Sequence, residues 1–302
     1  MTPPRILIIG DQGQVAWELQ RTLATLGDVI AAGRSTATHA LDLARPETIA
    51  PLVEATRPNW IINAAAYTAV DKAEQEEELA TTINGRAVGE LAAAAKSVGA
   101  LLVHYSTDYV FDGTADKPYT EEAPTNPQSA YGRSKLAGEE AIRASDTPHL
   151  ILRTSWVYGA RGHNFMRTIR RLAREREELR IVADQHGCPT WSRHIAEATA
   201  QILAQLGQDR AAWAAKTGTY HLVSSGQGTW HDFASRIVEH QRQHEPVKTE
   251  RILPIRTEEY PLPAPRPKYS VLCTDKMRAA FGIHMPHWES ALEQVQKELC
   301  EP

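Results

Sequence analysis

The chain has 302 residues, of which 42% are apolar, and it carries a formal net charge of -4 with a pI near 6.3. This length and composition predict about two globular domains with buried cores. The densest cationic stretch, residues 167–174, is followed directly by glutamates, which is typical of a solvated helix face rather than of a nucleic-acid footprint. No apolar run reaches the roughly 18 residues of a membrane span. We therefore expect small anionic ligands, and neither nucleic acid nor a membrane as partner.

The cysteines indicate a reducing compartment. Cys188, Cys273 and Cys300 are odd in number, widely spaced and without a metal-ligand or redox pattern. The apolar run at residues 6–9 is too short for a signal peptide. We expect a cytoplasmic protein.

The first elements in the chain are typical of a dinucleotide-binding unit. Residues 5–10 form an apolar strand that runs into a glycine turn and a helix whose apolar positions extend to Leu26. Gly10 would allow the tight turn, Gly13 would let backbone N–H groups approach a pyrophosphate, and Ala16 would permit close helix packing. The alternative is a loop that only turns the chain.

The second strand, residues 28–32, ends in a sequence that favours NADPH. An NAD-preferring site would usually place an acidic residue after this strand, but here Gly33-Arg34-Ser35 follows. The Arg34 guanidinium can pair with a 2′-phosphate, or it can be a solvent-facing loop residue. Asp42 could hydrogen-bond the adenine or cap the next helix.

Strands and helices continue to alternate after this point. The predicted elements are a strand at 59–66 with a small-residue end, a helix at 81–98, a strand at 101–105, a helix at 129–145 and a strand at 149–153. Five strands linked by helices predict an α/β fold with a Rossmann-type, doubly wound parallel sheet. Ser106, Thr107 and Asp108 would then lie at the carboxyl edge of the sheet, where ligands bind.

Tyr131 and Lys135 are one helical turn apart on the helix that follows. A phenol has a pKa of about 10, and an ammonium one turn away would stabilise its phenolate and bring the hydroxyl into range for proton transfer. The Thr107 hydroxyl could hold a substrate carbonyl beside it. Taken alone, the pair could equally be an ordinary surface pair on a helix.

Several motifs together carry a family resemblance. They are Gly10-x-x-Gly13-x-x-Ala16, Asn63-Ala-Ala-Ala66, Ser106-Thr-Asp-Tyr-Val-Phe-Asp-Gly113, Tyr131-x-x-x-Lys135, and residues 68–74, 153–159, 164–165, 182–190, 218–221 and 266–272. In this order they resemble the extended short-chain dehydrogenases/reductases, and among them most closely the dTDP-4-dehydrorhamnose reductases. The resemblance implies NADPH-dependent reduction of the 4-keto group of dTDP-4-dehydro-β-L-rhamnose, the last step of dTDP-L-rhamnose synthesis, with NADH possible as cofactor.

The resemblance also implies residue roles. Tyr131 would donate the proton, Lys135 would tune Tyr131 and hold the nicotinamide ribose, and Thr107 would orient the keto oxygen. Cofactor contacts are expected from Gly10, Gln12, Gly13, Gln14, Val15, Arg34, Asp42, Leu43, Ala64, Ala65, Ala66, Tyr131 and Lys135. Contacts with the sugar nucleotide are expected from Thr68, Val70, Thr107, Asp108, Tyr109, Trp156, Asn164 and Arg266. For three of these a structural alternative exists, since Trp156 could be core, Asn164 a helix cap, and Arg266 part of a stiff proline loop.

The second half of the chain is expected to form a smaller α/β substrate-binding lobe. We place the boundary between residues 1–155 and 156–302, with a later strand such as residues 179–183 returning to the main sheet. Helices are predicted at 165–177, at 194–206, from Trp230 onward and at 290–299, with a strand at 219–223.

The sequence departs from the family pattern in two places, since Asp11 stands in the glycine turn without an assigned role and a metal ligand is missing near Arg193. Two rival functions also remain open. Some relatives are dimers bridged by Mg²⁺ through glutamates, one of which Glu18 could match, but Arg193 stands where a second would be needed, so we expect no metal site. The chain is expected to be a monomer or a homodimer. The rivals are an epimerase or reductase of another nucleotide sugar, and a non-catalytic nucleotide-binding subunit like the regulatory subunit of methionine adenosyltransferase.

Overall fold

A computed structural model describes residues 2–36 and 38–300, with only the backbone for Cys300. The strands are β1 Arg5–Ile9, β2 Asp28–Ala32, β3 Trp60–Asn63, β4 Leu101–Thr107, β5 His149–Thr154, β6 Val157–Tyr158, β7 Glu178–Val182, β8 His186–Gly187, β9 Thr190–Trp191, β10 Gly218–His221, β11 Gly228–Thr229 and β12 Arg251–Ile255. The α-helices are α1 Gln14–Thr22, α2 Ile49–Thr56, α3 Val70–Ala73, α4 Glu77–Thr81, α5 Ala87–Val98, α6 Ala130–Ala144, α7 Phe165–Glu175, α8 Ser192–Leu206, α9 Arg210–Lys216, α10 Trp230–His244, α11 Asp275–Phe281 and α12 Trp288–Cys300.

In the described part of the chain, six strands form one parallel sheet in the order β2-β1-β3-β4-β5-β10. The chain moves outward from β1 to β2 and then crosses to the other side of β1 for β3. The order therefore reverses between β1 and β3, and such a reversal opens a crevice at the carboxyl ends of the two strands. The predicted Rossmann-type parallel sheet is confirmed.

The sheet has an apolar core on each face. Along β1, Ile6 and Ile8 belong to a cluster with α1 and α8, whereas Leu7 and Ile9 belong to a second cluster with α2, α5 and α6. Side chains alternate between the faces of a strand, so a strand covered by helices on both sides is apolar throughout. This is the physical reason for the uninterrupted apolar run that begins the chain.

Part of the second half of the chain, namely β6, α7, β7, β9, α10 and α12, builds a further core beside the sheet. Its centre is an aromatic group in which Phe233 of α10 contacts Tyr158 of β6, Phe165 of α7 and Trp288 of α12, with ring centroids 5.0 to 5.9 Å apart. The parallel pair β7 and β12 lies against α10 at its edge. The lobe boundary placed after residue 155 stays a prediction.

The structure corrects several of the predicted elements. The strand near residue 179 does not return to the main sheet, because β7 pairs with β12; the later strand that joins the sheet is β10, which pairs with β5. The first helix ends at Thr22 and continues as a 3-10 turn over Leu23–Thr25. The helix predicted at 81–98 is interrupted by a π-helical stretch, Thr82–Arg86. The sequence analysis also gave no bounds for α2, α3, α4, α9 and α11.

None of the helices in residues 2–36 and 38–300 is both long enough and apolar enough to span a membrane.

Candidate active site

The glycine turn lies at the crevice between β1 and β3. Gly10 has φ of 110°, a conformation that other residues rarely adopt, and Ala64 N–H donates to the Ile9 carbonyl at 3.0 Å. A Cβ on Gly10 would stand 3.4 Å from the Ala64 backbone. Gly13 is the N-cap of α1 and supplies no side chain to cap the first N–H groups of the helix. The small residues and the uncapped helix end fit a dinucleotide pyrophosphate.

The turn after β2 is attached to this glycine turn through Asp11, which the sequence reading left without a role. The Asp11 carboxylate accepts from Thr36 at 3.2 Å, and a Cβ on Gly33 would stand 2.4 Å from Asp11 Oδ1. Arg34 is exposed on this turn. An isolated β-bridge joins Gly33 to Ala40, two residues before Asp42. The Asp42 carboxylate accepts from Ala44 N–H at 3.0 Å. Leu43 beside it is buried.

Thr107 and Asp108 stand at the carboxyl end of β4 and are buried. The Thr107 hydroxyl donates to Asp108 Oδ1 at 3.1 Å and accepts from Tyr109 N–H at 3.2 Å, which caps the short 3-10 turn Asp108–Val110. Burial raises the pKa of Asp108 to about 6, and hydrogen bonds from Ser270 and Thr107 offset only part of this effect. Asp108 Oδ2 is buried and makes no hydrogen bond among the described residues.

Tyr131 enters the same site from the first turn of α6. The helix begins there because Ser129 is its N-cap and accepts from Gly132 N–H at 3.1 Å. The Tyr131 ring meets Tyr109 edge to face, with centroids 5.5 Å apart. Burial raises the pKa of Tyr131 to about 12, and hydrogen bonding with Thr107 opposes the shift. The expected lowering of this pKa by Lys135 is not found.

The reason is the position of Lys135, which is fully buried one turn further along α6. Its Nζ donates to the Tyr105 carbonyl at 2.6 Å and lies 3.3 Å from His104 Nε2, not against the Tyr131 phenol. Desolvation lowers the pKa of Lys135 to about 8, while the charge of Glu139 acts in the opposite direction. An ammonium with a pKa near 8 is still mostly charged at neutral pH.

The π-helical stretch supplies a second residue that the sequence reading missed. Asn84 is buried there, donates to the Ser134 hydroxyl at 2.9 Å and exchanges two hydrogen bonds with the backbone of Tyr67. Ser134 in turn donates to the Tyr131 carbonyl at 2.8 Å. The loop after β3 is thereby fixed to the helix that carries Tyr131. The Asn84-Gly85 pair is a helix-breaking signal that could have marked this position, but it does not indicate which residues Asn84 contacts.

Trp156 lies just after β5. Its backbone has φ of 44°, which is uncommon for a residue with a side chain, and its indole stacks on Trp230 with centroids 3.5 Å apart. One edge of the indole lies over Gly187, where a Cβ would stand 2.4 Å away. The partner Trp230 was predicted only as a helix start, and its contact with Trp156 was missed.

Asn164 caps α7, which was the structural alternative considered for it. Its side-chain oxygen accepts from Arg167 N–H at 3.0 Å, and its amide nitrogen donates to Gln14 at 2.8 Å and to the Gly159 carbonyl at 2.9 Å. The contact with Gln14 joins the loop before α7 to the first turn of α1. Its role toward substrate stays a prediction.

Arg266 reaches from the proline-rich loop to α3. It pairs with Asp71 at 2.7 Å, and Asp71 also accepts from Ala264 N–H at 3.2 Å. The guanidinium lies 6.0 Å from the Tyr109 ring centroid. A cavity of about 240 Å³ opens beside it, lined in part by Tyr109 and Ser129. Thr68 is exposed, and Val70 begins α3 next to Asp71.

Arg193 occupies the region where a metal bridge was considered. It pairs with Glu18 at 3.4 Å and also with Glu298. Within the described residues no group of three or more His, Cys, Asp or Glu side chains is arranged to hold a metal ion. The absence of a metal requirement stays a prediction.

The predicted residues thus fall into two groups. Gly10, Gly13, Ala64, Arg34 and Asp42 line the end of the sheet at β1 and β2. The other group, around the ends of β4 and β5, comprises Thr107, Asp108, Tyr109, Tyr131, Trp156 and Arg266.

Comparison with known proteins agrees with this arrangement. A dTDP-4-dehydrorhamnose reductase of Burkholderia thailandensis is 51% identical over 298 residues, covering 98% of this chain and 99% of that protein. The dTDP-4-dehydrorhamnose reductase of Escherichia coli K12 is 45% identical over 296 residues, covering 97% of each. A crystal structure of dTDP-4-dehydrorhamnose reductase from Bacillus anthracis in complex with NADP is 36% identical, covers 98% of this chain and 100% of that one, and has a TM-score of 0.87.

The match to a family extends over almost the whole sequence. The sequence model of the family described as RmlD substrate binding domain matches residues 4–300. All the predicted site residues lie inside the matched range. The chain belongs to the RmlD substrate binding domain family.

Proposed function

We propose that this protein reduces the 4-keto group of dTDP-4-dehydro-β-L-rhamnose with NADPH and so forms dTDP-L-rhamnose. The observation that carries the proposal is the meeting of Thr107 and Tyr131 at the carboxyl edge of the sheet, with Lys135 buried one turn below. Relatives that match nearly the full length, at 51% and 45% identity, bear the name of this reductase.

The cofactor end of the site would hold NADPH along the carboxyl ends of β1 to β4. The turn at Gly10 and Gly13 would receive the pyrophosphate, Arg34 the 2′-phosphate, and Lys135 the nicotinamide ribose. When bound, NADPH supplies the hydride for the reduction. Binding of NADP by the Bacillus anthracis relative supports this choice of cofactor.

The proton side of the reaction belongs to this chain's own residues. With a pKa of about 12, Tyr131 keeps its proton at neutral pH and can give it to the keto oxygen as negative charge develops there. Thr107 would direct a hydroxyl at the same oxygen, and the Lys135 ammonium would favour the phenolate left behind. Each of these groups is held by protein contacts before substrate binds, so little reorganisation is needed.

The sugar nucleotide would occupy the cleft between the ends of β4 and β5 and the proline-rich loop. Trp156 offers an apolar face for the hexose, and Arg266 offers donors for the diphosphate. The Asp71 carboxylate leaves part of the Arg266 guanidinium fork unused, since the described contacts involve only its two terminal nitrogens. A cytoplasmic location and a monomeric or homodimeric state complete the proposal.

The first test is the oxidation of NADPH with enzymatically prepared dTDP-4-dehydro-L-rhamnose. The unepimerised 4-keto-6-deoxyglucose precursor and a sample without sugar serve as controls. Consumption of NADPH with the L-rhamno substrate alone supports the proposal. Folded protein that binds NADPH but consumes none with either sugar would contradict it.

The rival functions differ in the same assay. An epimerase would carry NAD through purification and recycle it, whereas the exposed Arg34 suits an exchangeable NADPH. A non-catalytic subunit would bind nucleotide and leave the sugar unchanged. Neither rival is favoured, because the catalytic residue types are present together and the near relatives are reductases.

A further inference from the structure

Three buried polar side chains form a chain that leads from the catalytic helix into the sheet. Lys135 Nζ lies 3.3 Å from His104 Nε2, and His104 Nδ1 lies 3.0 Å from Asn63 Nδ2. All three residues are at most 2% exposed. The proposed reaction uses Lys135 but gives no role to His104 or Asn63.

The topology of the sheet brings these residues together. Asn63 of β3 and His104 of β4 are partners in the parallel register, so both side chains lie on the face that α6 covers. The neighbouring Tyr105 points to the opposite face, where its hydroxyl meets Thr199 at 2.7 Å. A one-residue shift of β4 would bring Val103 or Tyr105 to this position in place of the imidazole.

The chemistry of the contact assigns the protons. An ammonium only donates, so His104 Nε2 accepts from Lys135 and the imidazole proton lies on Nδ1. Burial and the charge of Lys135 hold the pKa of His104 well below its usual range, which keeps the ring neutral and able to accept. Nδ1–H needs an acceptor, and the Asn63 amide supplies its oxygen after a half-turn that exchanges its two ends. This half-turn gives up the long hydrogen bond that the Asn63 oxygen accepts from Ala65 N–H at 3.3 Å.

We propose that His104, oriented by Asn63, is a positioning residue for Lys135: its ring accepts a hydrogen bond from the buried ammonium and keeps that group charged and in place for cofactor and phenol. The Tyr105 carbonyl is the other described acceptor, at 2.6 Å. Without His104 the ammonium would keep one neutral acceptor in a desolvated site. The inference rests on the proposed function for the role of Lys135, but its test requires no sugar turnover.

The other charged and titratable groups near Lys135 remain unchanged by the test. Glu139, on α6 itself, acts on Lys135 through its charge and forms a bidentate pair with Arg153 of β5. Tyr131 lies one turn away and stays neutral with a pKa of about 12. A change in the titration of Lys135 on substitution of His104 would therefore report their direct contact.

The experiment compares His104→Gln with His104→Met, two side chains of similar length of which only glutamine carries an acceptor oxygen. NADPH affinity is measured by fluorescence across a pH series. In the wild type we expect affinity to fall as pH rises through about 8, where Lys135 loses its charge, and Lys135→Met should remove this fall. His104→Met should move the midpoint down by about one pH unit, the size expected for one lost hydrogen bond to a charged group. His104→Gln should stay near the wild-type midpoint.

Each outcome decides for or against the proposal. The proposal would be overturned if the wild type, His104→Gln and His104→Met had equal midpoints, or if both His104 variants shifted equally. It would also be overturned if Lys135→Met did not alter the pH profile of the wild type. Circular dichroism checks that each variant folds. If His104→Met does not fold, Asn63→Ala takes its place, and we expect its pH midpoint to move in the same direction by a smaller amount. Protein that binds NADPH with these profiles but does not reduce the sugar would contradict the proposed function and leave this inference supported.

Discussion

At the scale of single residues, the site depends on how burial changes proton affinity. Tyr131 and Asp108 lie close together at the end of β4, and burial raises the pKa of both. The effect on Tyr131 suits a proton donor, because the phenol keeps its proton until negative charge develops on the substrate. The effect on Asp108 has a cost in stability, because an ionised carboxylate is held away from water.

Replacing Tyr131 with Phe removes the proton donor and leaves the ring contact with Tyr109 in place. We expect turnover to fall by about 100-fold or more, the usual contribution of a general acid, with NADPH affinity changed little. Steady-state NADPH oxidation and a fluorescence titration measure the two quantities. Unchanged turnover would show that another group donates the proton.

Replacing Asp108 with Asn should stabilise the fold above pH 6 and impair the reaction. The pKa of Asp108 is about 6 in the folded protein, above the ordinary value of 3.8. Between pH 3.8 and pH 6 the folded protein therefore holds a proton on this carboxyl that the unfolded chain has lost. The protonation of Asp108 therefore contributes to the free energy of unfolding below about pH 4, and this contribution is lost as the pH rises through about 6. A pKa difference of about 2 units corresponds to a free energy of about 3 kcal/mol. Above pH 6 the free energy of unfolding of the Asn variant should exceed that of the wild type by about this amount.

Urea unfolding of both proteins between pH 4 and pH 8 measures this difference. The gain of the Asn variant should grow up to about pH 6 and then level off. A gain that is constant with pH would mean that Asp108 does not titrate in this window.

Arg34 should determine the preference between the two nicotinamide cofactors. Replacement with Ala should weaken NADPH binding by about tenfold, as expected for loss of a hydrogen bond between charged groups at an exposed position. NADH lacks the 2′-phosphate and serves as the internal control. Equal losses for both cofactors, measured by calorimetry, would refute the contact.

At the scale of elements, the site depends on close packing between α6 and the helices before it. The π-helical stretch turns the Asn84 carbonyl toward α6, where a Cβ on Gly138 would stand 2.2 Å from that oxygen. A contact this short with backbone cannot be relieved by a side-chain rotation. Glycine at position 138 therefore permits the approach that joins Asn84, Ser134 and Tyr131.

Replacing Gly138 with Ala should destabilise the protein by about 1–3 kcal/mol, the usual cost of overpacking a core. The matched control is Gly89→Ala on α5, where the added Cβ would meet Ala141 Cβ at 3.4 Å. There the higher helix propensity of alanine should leave stability unchanged or raise it by up to about 1 kcal/mol. Thermal unfolding of both variants tests the contrast, and equal effects would contradict it.

At the scale of the whole molecule, the two halves of the chain share one core. The cluster on the α1 face of the sheet contains Ile195 and Ile202 of α8 together with Tyr220 of β10, all beyond residue 155. The Gln14–Asn164 and Asp71–Arg266 contacts join the halves again at the cleft. Motion of one half relative to the other would therefore alter both ends of the site.

A fragment of residues 1–155 should not fold by itself. Without α8 and β10 it would expose one face of the sheet and leave β5 as an open edge. Circular dichroism and dye binding should report a loosely packed or aggregated fragment, and co-expression with residues 156–302 should restore a cooperative unfolding transition. Cooperative unfolding of the isolated fragment would contradict this and support the boundary as an independent domain border.

Much of the fold could be predicted from the sequence because the signals involved are local. The apolar run of β1, the glycine turn after it and the Ser129 cap of α6 each depend on residues a few positions apart. Thr107, Tyr131 and Lys135 were found in the same way, from their spacing and from their place at a strand end or in one helical turn. The resemblance to the family rests on the same ordered motifs.

What only the tertiary structure decided concerns contacts between residues far apart in the chain. The choice of β10 over β7 as the sixth strand depends on which edge is free after β5 is placed, and neither strand encodes its partner. Lys135 bonds to His104 and the Tyr105 carbonyl because β4 passes beneath α6. Burial therefore raises the pKa of Tyr131, where helix spacing alone predicted a fall. The sequence by itself determined which groups the site contains, whereas burial and the packing of one element on another determined their protonation and their partners, because desolvation depends on the whole surrounding structure.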